Sequence, residues 1–267
     1  MLQQHCLAIT SHEQVAQGVF RLRLAGSLSA LPGQFVQVAV SCNASLSACG
    51  TLPPSCDPLL RRPLSVQDCR PGELALLYRV AGRGTAQLAG RKPGGSVDVL
   101  GPLGRGFPLP AGRQAILVAG GIGVAPLFYL ARTLHAEGKD VFFLFGARDQ
   151  EGLYLAGELA SVTARLQLAT EDGSAGYHGL VTDLLPLAQG YPAAPVFACG
   201  PAAMLRTVAT LCREARRECF VSLESRMACG VGACLGCVVE TSRGGRQEYA
   251  RVCVEGPVFR GEEVFGA

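Results

Sequence analysis

Four short stretches in the first 110 residues alternate apolar and polar positions or run apolar outright: VFRLRLAG (19–26), QFVQVAV (34–40), LALLYRV (74–80) and GSVDVL (95–100). Successive side chains of a strand point to opposite faces, so these runs read as strands with a buried side. The turn signals LPGQ, RPGE and KPGG separate them, and little here has helical period. Several short strands at this spacing predict a small antiparallel β-barrel over residues 1–110. From Arg113 the pattern changes. QAILVAGG (114–121) is an apolar strand entering a glycine turn, and VAPLFYLARTLHAEG (124–138) has helical period. VFFLFGAR, RLQLATEDG and PVFACGP read as further strands, and MLRTVATLCREARR as a helix. Strands alternating with helices predict a doubly wound parallel α/β sheet over 111–221, entered near Leu109–Gly112. From Ser222 the periodicity fails, and residues 222–267 read as a third, small module rich in glycine and cysteine.

Composition narrows the class. The 267 residues are 49% hydrophobic and 17% charged, as expected of a globular chain of two domains and an addition. The 34 glycines and 16 prolines point to tight turns and backbone-lined ligand sites. Net charge is only +3 with no Lys/Arg block, so nucleic acid is not an expected partner. MLQQHCLAITSHEQ lacks the basic start and apolar run of an export signal. The most apolar stretch, Ala115 to Ala131, is interrupted by Gly120, Gly121, Gly123 and Pro126, which argues against a membrane span. A cytoplasmic chain is expected. Its 12 cysteines then suggest metal binding before disulfides.

Cys229, Cys234 and Cys237 form C-x4-C-x2-C, and Cys253 follows. This is the plant-type [2Fe–2S] spacing, in which a tight loop supplies three thiolates and a distant segment the fourth. Gly230, Gly232 and Gly236 fit a loop that turns backbone N–H groups toward sulfur. A zinc site or a set of reduced structural thiols is the alternative, but zinc sites usually pair two short cysteine hooks. VAGGIGVAP places Gly120, Gly121 and Gly123 between a strand and a helix, with Pro126 where a dinucleotide fingerprint has its third glycine. Glycines admit a pyrophosphate to a helix N-terminus, although packing alone would also ask for them. Cys199, Gly200 and Pro201 follow a later strand, at the edge where such sheets bind ligands. Cys199 would there be a small polarizable contact to a nicotinamide, or else a buried small hydrophobe. RRPLS (61–65) and YRVAGRGT (78–85) lie within the barrel region. Arg62 can grip a phosphate and Ser65 a flavin edge, Tyr78 offers a stacking face, and Gly84 and Thr85 offer a phosphate contact.

R-P-L-S, Y-R-x2-G-x-G-T, GGIGVAP and CGP, in that order, resemble the ferredoxin-NADP⁺ reductase superfamily. The tail ESRMACGVGACLGCVV…RVCVEGPVF resembles the electron-transfer subunits of dihydroorotate dehydrogenase B and their close relatives, and GYHGLVTDLL and FGAR fit the same family. The resemblance spans nearly the whole chain. It implies an FAD-binding barrel, an NAD-binding domain and a C-terminal [2Fe–2S] domain. It also implies a role in pyrimidine biosynthesis, carrying electrons from the FMN-containing dihydroorotate dehydrogenase catalytic subunit to NAD⁺ in a heterotetramer with two copies of each subunit. By motif, Arg62, Pro63, Leu64, Ser65, Leu77, Tyr78, Arg79, Gly84 and Thr85 would hold FAD. Cys229, Cys234, Cys237 and Cys253 would hold the cluster. Gly120, Gly121, Gly123, Cys199, Gly200 and Pro201 would face NAD.

One segment departs from the family pattern. SCNASLSACGTLPPSCD reads as an added loop, with Cys42, Cys49 and Cys56 seven apart and no assigned role. Glu171 and Asp172 favour NAD over NADP if they line the ribose pocket, while Arg148 argues the other way. Two other readings stay open at this point. One is the reductase subunit of a hydrogenase, sulfide dehydrogenase or glutamate synthase-like complex. The other is a redox sensor, which would need an output module.

Overall fold

The computed structural model describes residues 3–41 and 57–266. The first strands are β1 (Gln4–Ala16), β2 (Val19–Ala25), β3 (Phe35–Val38), β4 (Arg62–Arg70), β5 (Glu73–Arg79) and β6 (Ser96–Leu103), with a short helix, α1 (Arg83–Ala89), before β6. They close into a barrel in the order β1-β2-β5-β4-β3-β6. The alternation read from the sequence sets the inside: Leu22 and Leu24, Val36 and Val38, and Val97 and Val99 fill it. Arg21 and Arg23, on the other face of β2, make ion pairs with Glu158 and Glu73. The pattern does not reveal β1 and β4. In β4 the reason is physical, because Gln67 and Asp68 are buried where apolar residues would show the period. Asp68 is held by Arg70 Nε at 2.8 Å and Arg132 Nε at 2.7 Å.

The second layer is a sheet of β7 (Gln114–Gly120), β8 (Asp140–Ala147), β9 (Arg165–Thr170), β10 (Tyr177–His178), β11 (Val196–Cys199) and β12 (Cys219–Ser222). These are parallel, in the order β10-β9-β8-β7-β11-β12. Helix α2 (Val124–Ala136) follows β7, α3 (Ala156–Leu159) follows β8, and α4 (Ala202–Glu214) follows β11. On α4, Leu205, Val208, Ala209 and Cys212 are the buried stripe of an amphipathic helix. On α2 apolar residues are buried nearly all round, because it is clamped between the sheet and the barrel. There Tyr129 donates its hydroxyl to the Ala30 carbonyl at 2.7 Å and Arg132 pairs with Asp68.

The last segment forms the hairpin β13 (Val238–Arg243) and β14 (Arg246–Arg251), then β15 (Val258–Arg260) and α5 (Gly261–Phe265). Gly244 and Gly245 both have positive φ, as a two-residue hairpin turn requires. β15 pairs antiparallel with β12 and extends the second sheet, so the chain after Ser222 is tied back into that sheet. Sequence periodicity missed this because β15 is three residues long. Among the described residues no helix is long and apolar enough to cross a membrane.

Candidate functional site

The strand order of the second sheet reverses between β7 and β11, and crevices for ligands form outside the carboxyl ends of strands at such a point. The turn after β7 and the turn after β11 meet there at backbone distance. A Cβ on Gly123 would stand 2.2 Å from the Cys199 carbonyl oxygen, and one on Gly200 would stand 3.0 Å from the Gly120 Cα. Gly121 has φ +53°. These glycines therefore let two strand-to-helix turns interlock, and a cleft of 540 Å³ opens over them. Gly120, Gly121 and Pro201 line it; Gly123, Cys199 and Gly200 form the layer behind. Cys199 is 3% exposed, and burial pushes its thiol up to about 12.

The cleft is charged at its rim by Arg148, Asp149, Glu151 and Glu171. Asp172 does not line it. The Asp172 carboxylate is engaged by the Ser174 hydroxyl and backbone N–H, which lower its pKa. From the barrel, Arg79 reaches into the same cleft, with a guanidinium nitrogen 3.8 Å from where a Gly121 Cβ would be. Two neighbours of Arg79 carry no sequence motif that points to them. Tyr154 lines the cleft, and burial raises the pKa of its hydroxyl against the pull of the neighbouring Arg79. The Glu224 carboxyl is pushed up by burial, against the pull of Arg79. Only their three-dimensional surroundings single them out.

On the barrel, the structure brings Arg62 against the start of α1, where a Gly84 Cβ would stand 2.8 Å from Arg62 Nε. Thr85 closes the same turn, its hydroxyl donating to the Gly82 carbonyl at 3.0 Å and accepting from Ala81 N at 2.9 Å. Pro63 and Ser65 lie half-buried on β4 opposite Gln37 and Phe35 of β3. Leu64 and Tyr78 are turned into the barrel, whereas Leu77 is buried on the opposite face of β5, against the second layer. Tyr78 stacks on Phe20 with ring centroids 5.9 Å apart. Its hydroxyl bonds His12 Nε2 at 2.9 Å, which accepts because His12 Nδ1–H donates to the Arg91 carbonyl.

The cysteine loop runs from β12 to β13. Val231 N–H donates to Cys229 Sγ and Gly236 N–H to Cys234 Sγ, both at 3.4 Å. The Val231 amide, and then those of Cys234 and Ala233, lower the Cys229 thiol to about 6. Gly230 and Gly232 have positive φ, and a Gly232 Cβ would strike Val254 at 2.7 Å. The four thiols fall into two pairs: Cys229 beside Cys234, and buried Cys237 beside Cys253. The sequence-distant Cys253 is held in place through Arg251, which is bonded to Glu255 and to the Gly232 carbonyl. Cys42, Cys49 and Cys56 lie outside the described residues.

Residues 224–265 match the family model of the iron–sulfur cluster binding domain of dihydroorotate dehydrogenase B. Residues 117–210 match that of the oxidoreductase NAD-binding domain. The chain is 42% identical over 272 residues to the dihydroorotate dehydrogenase B (NAD(+)) electron transfer subunit of Bacillus caldolyticus, covering 99% of each. It is 44% identical to the subunit of the same name from Desulforamulus reducens, covering 86% of this chain and 85% of that one. The chain belongs to the dihydroorotate dehydrogenase B electron transfer subunit family. In fold it is similar to a solved NADH-dependent reduced ferredoxin-NADP oxidoreductase, with TM-score 0.81 and 30% identity over 97% of this chain and 90% of that one.

As a member of this family, the chain is an oxidoreductase subunit with an NAD-binding and an iron–sulfur domain, and its loop suits a cluster. Two irons need two thiolates each at their outer positions. The loop offers two thiol pairs, with N–H donors already aimed at the sulfurs of the exposed one. Among the described residues no group of three or more His, Cys, Asp or Glu side chains is placed to hold a metal ion. The nucleotide cleft has the volume of a cofactor site, with glycine floors and Arg79 and Tyr154 on its wall.

Proposed function

We propose that this chain passes electrons between NAD(H) and the FMN-containing catalytic subunit of dihydroorotate dehydrogenase B, through FAD and a [2Fe–2S] cluster, in the cytoplasm. The observation that carries the proposal is convergence on the barrel. Arg79 of β5 reaches into the nucleotide cleft, β3 lies under the cysteine loop, and Arg62 of β4 meets the Gly84 turn. A barrel so placed is the relay between the two sites. Bound FAD supplies the conversion between the two-electron hydride chemistry of a nicotinamide and the one-electron chemistry of a cluster.

The chain's own residues then have these roles. Residues 1–110 hold FAD, 111–221 hold NAD and 222–267 hold the cluster, a division supported by the extents of the two family matches. Arg62, Gly84 and Thr85 bind the FAD phosphates. Pro63, Leu64, Ser65, Leu77, Tyr78 and Arg79 shape the flavin site, with Leu64, Leu77 and Tyr78 acting as its rigid backing. Gly120, Gly121 and Pro201 admit the NAD pyrophosphate, while Gly123 and Gly200 keep the two turns close enough to do so. Cys199 backs the nicotinamide end as an undissociated thiol, since burial holds its proton. Cys229, Cys234, Cys237 and Cys253 ligate the cluster. All described cysteines are free thiols, the state a reducing cytoplasm maintains. The working assembly is a heterotetramer of two copies of each subunit.

The test is purification of the native chain with whatever accompanies it, followed by visible spectroscopy under anaerobic conditions. The expected result is a stoichiometric FMN-containing dihydroorotate dehydrogenase, with flavin and iron–sulfur absorbance that NADH bleaches. Another oxidoreductase as the stoichiometric partner would overturn the pathway. A colourless complex would overturn the cofactor assignment.

A further inference from the structure

Gln37 sits in the middle of β3, between Pro63 of β4 and Leu100 of β6. Val36 and Val38 on either side fill the barrel, so Gln37 faces outward with Phe35. Its side chain is nonetheless 0% exposed, and neither its amide nitrogen nor its amide oxygen has a hydrogen-bond partner. A dry, unpaired amide is costly to keep, and buried polar groups almost always have a partner. The cover over it is the cysteine loop. A Cβ on Gly230 would stand 2.5 Å from Gln37 Nε2 and 2.7 Å from Cγ. The amide therefore presses on the residue next to Cys229, with its nitrogen as the nearest atom, and the loop backbone does not satisfy it.

The acceptors missing from this contact are the sulfurs that the loop carries once a cluster is bound. We propose that Gln37 donates a side-chain N–H···S hydrogen bond to the [2Fe–2S] cluster and so raises its reduction potential. The inference rests on the reading that the four cysteines hold a cluster. Reduction adds negative charge to the sulfurs, and a donor aimed at them stabilises the reduced state more than the oxidised one. The Val231 and Gly236 donors come from the loop itself. Gln37 comes from the barrel, and so makes the potential of the cluster sensitive to how the loop seats against the flavin-side domain. In this scheme Gln37 touches the cluster and tunes its potential, and takes no part in bond making.

The experiment is a redox titration of the full-length holoprotein followed by electron paramagnetic resonance, comparing wild type with Gln37→Leu. At the wild-type midpoint potential, the reduced-to-oxidised cluster ratio is expected to fall about tenfold in the variant, or about 59 mV for one electron. Iron and sulfide content and the flavin couple stay unchanged. A spin-echo measurement on wild-type protein carrying ¹⁵N in its glutamine side chains gives an independent readout that needs no variant to fold. A side-chain nitrogen coupling to the reduced cluster is expected, and its absence overturns the proposal. A full cluster with an unmoved potential in Gln37→Leu overturns the proposal alone, as does a shift confined to the flavin. A wild-type chain that purifies without iron and sulfide overturns the cluster reading and this proposal together.

Discussion

The cysteine loop and the nucleotide cleft are built on opposite plans. The loop gathers three of its four thiols within nine consecutive residues, from Cys229 to Cys237, and orients its own N–H groups toward two of them. The cleft takes its walls from the ends of β7, β8 and β11, from Arg79 of the barrel, and from Tyr154 and Glu171 in separate connections. A site made by one loop depends on local turn geometry, whereas a site made by several strand ends depends on how those strands are stacked. The two should therefore respond to different perturbations.

The largest effect comes from breaking the loop. Cys234→Ser removes one of the proposed ligands, the thiol paired with Cys229, and complete loss of the cluster signal is expected, with NADH reduction of the flavin retained. Loss of both activities together would mean that the regions are not independent. Gly123→Ala is the converse. Its Cβ would stand 2.2 Å from the Cys199 carbonyl, and forcing the two turns apart should cost about 3 kcal/mol in urea unfolding. NADH binding should weaken while the cluster spectrum is kept.

Smaller changes sharpen the contrast. Tyr154→Phe removes a buried hydroxyl that lies beside Arg79 in the cleft. If that hydroxyl bonds the nucleotide, NADH should bind about tenfold more weakly by calorimetry, or about 1.4 kcal/mol. Glu171→Gln should raise NADPH use relative to NADH by about tenfold. Asp172→Asn should leave the ratio unchanged, since that carboxylate is outside the cleft. An effect of the second change equal to the first would sink the assignment of Glu171.

The smallest effect is one of pH, and it falls on the loop. The hydrogen bond from Arg251 holds the Glu255 carboxyl down at about 2, against 4.5 for the free group. A carboxyl depressed on folding stabilises the fold above its unfolded value, and that contribution is lost as pH falls through the folded one. Between about 4.5 and about 2, the clamp on Cys253 should loosen in wild type. Circular dichroism of Glu255→Gln should show a weaker fold at neutral pH and convergence with wild type at the acid end.

Much of this was legible in the sequence. The strands VFRLRLAG, LALLYRV, QAILVAGG and VFFLFGAR were readable because their apolar side chains alternate or run together, and the cysteine loop because three of its thiols lie at a local spacing. RPLS and GGIGVAP were visible as motifs. Tyr78 offers a stacking face in the sequence, yet the structure spends that face on Phe20 and the hydroxyl on His12. The Glu171-Asp172 pair was undecidable without knowing which carboxylate the Ser174 turn takes up.

Local chemistry is written along the chain: which segments form strands, where glycines permit turns, and which thiols stand at ligand spacing. Those follow from interactions over a few residues, which a linear pattern records. It takes the folded chain to place β15 at the edge of the second sheet, Gly123 on Cys199, Arg79 across from the barrel in the cleft, and Gln37 beneath Gly230. Burial and long-range packing set these contacts between residues far apart in the chain, and no local periodicity encodes them.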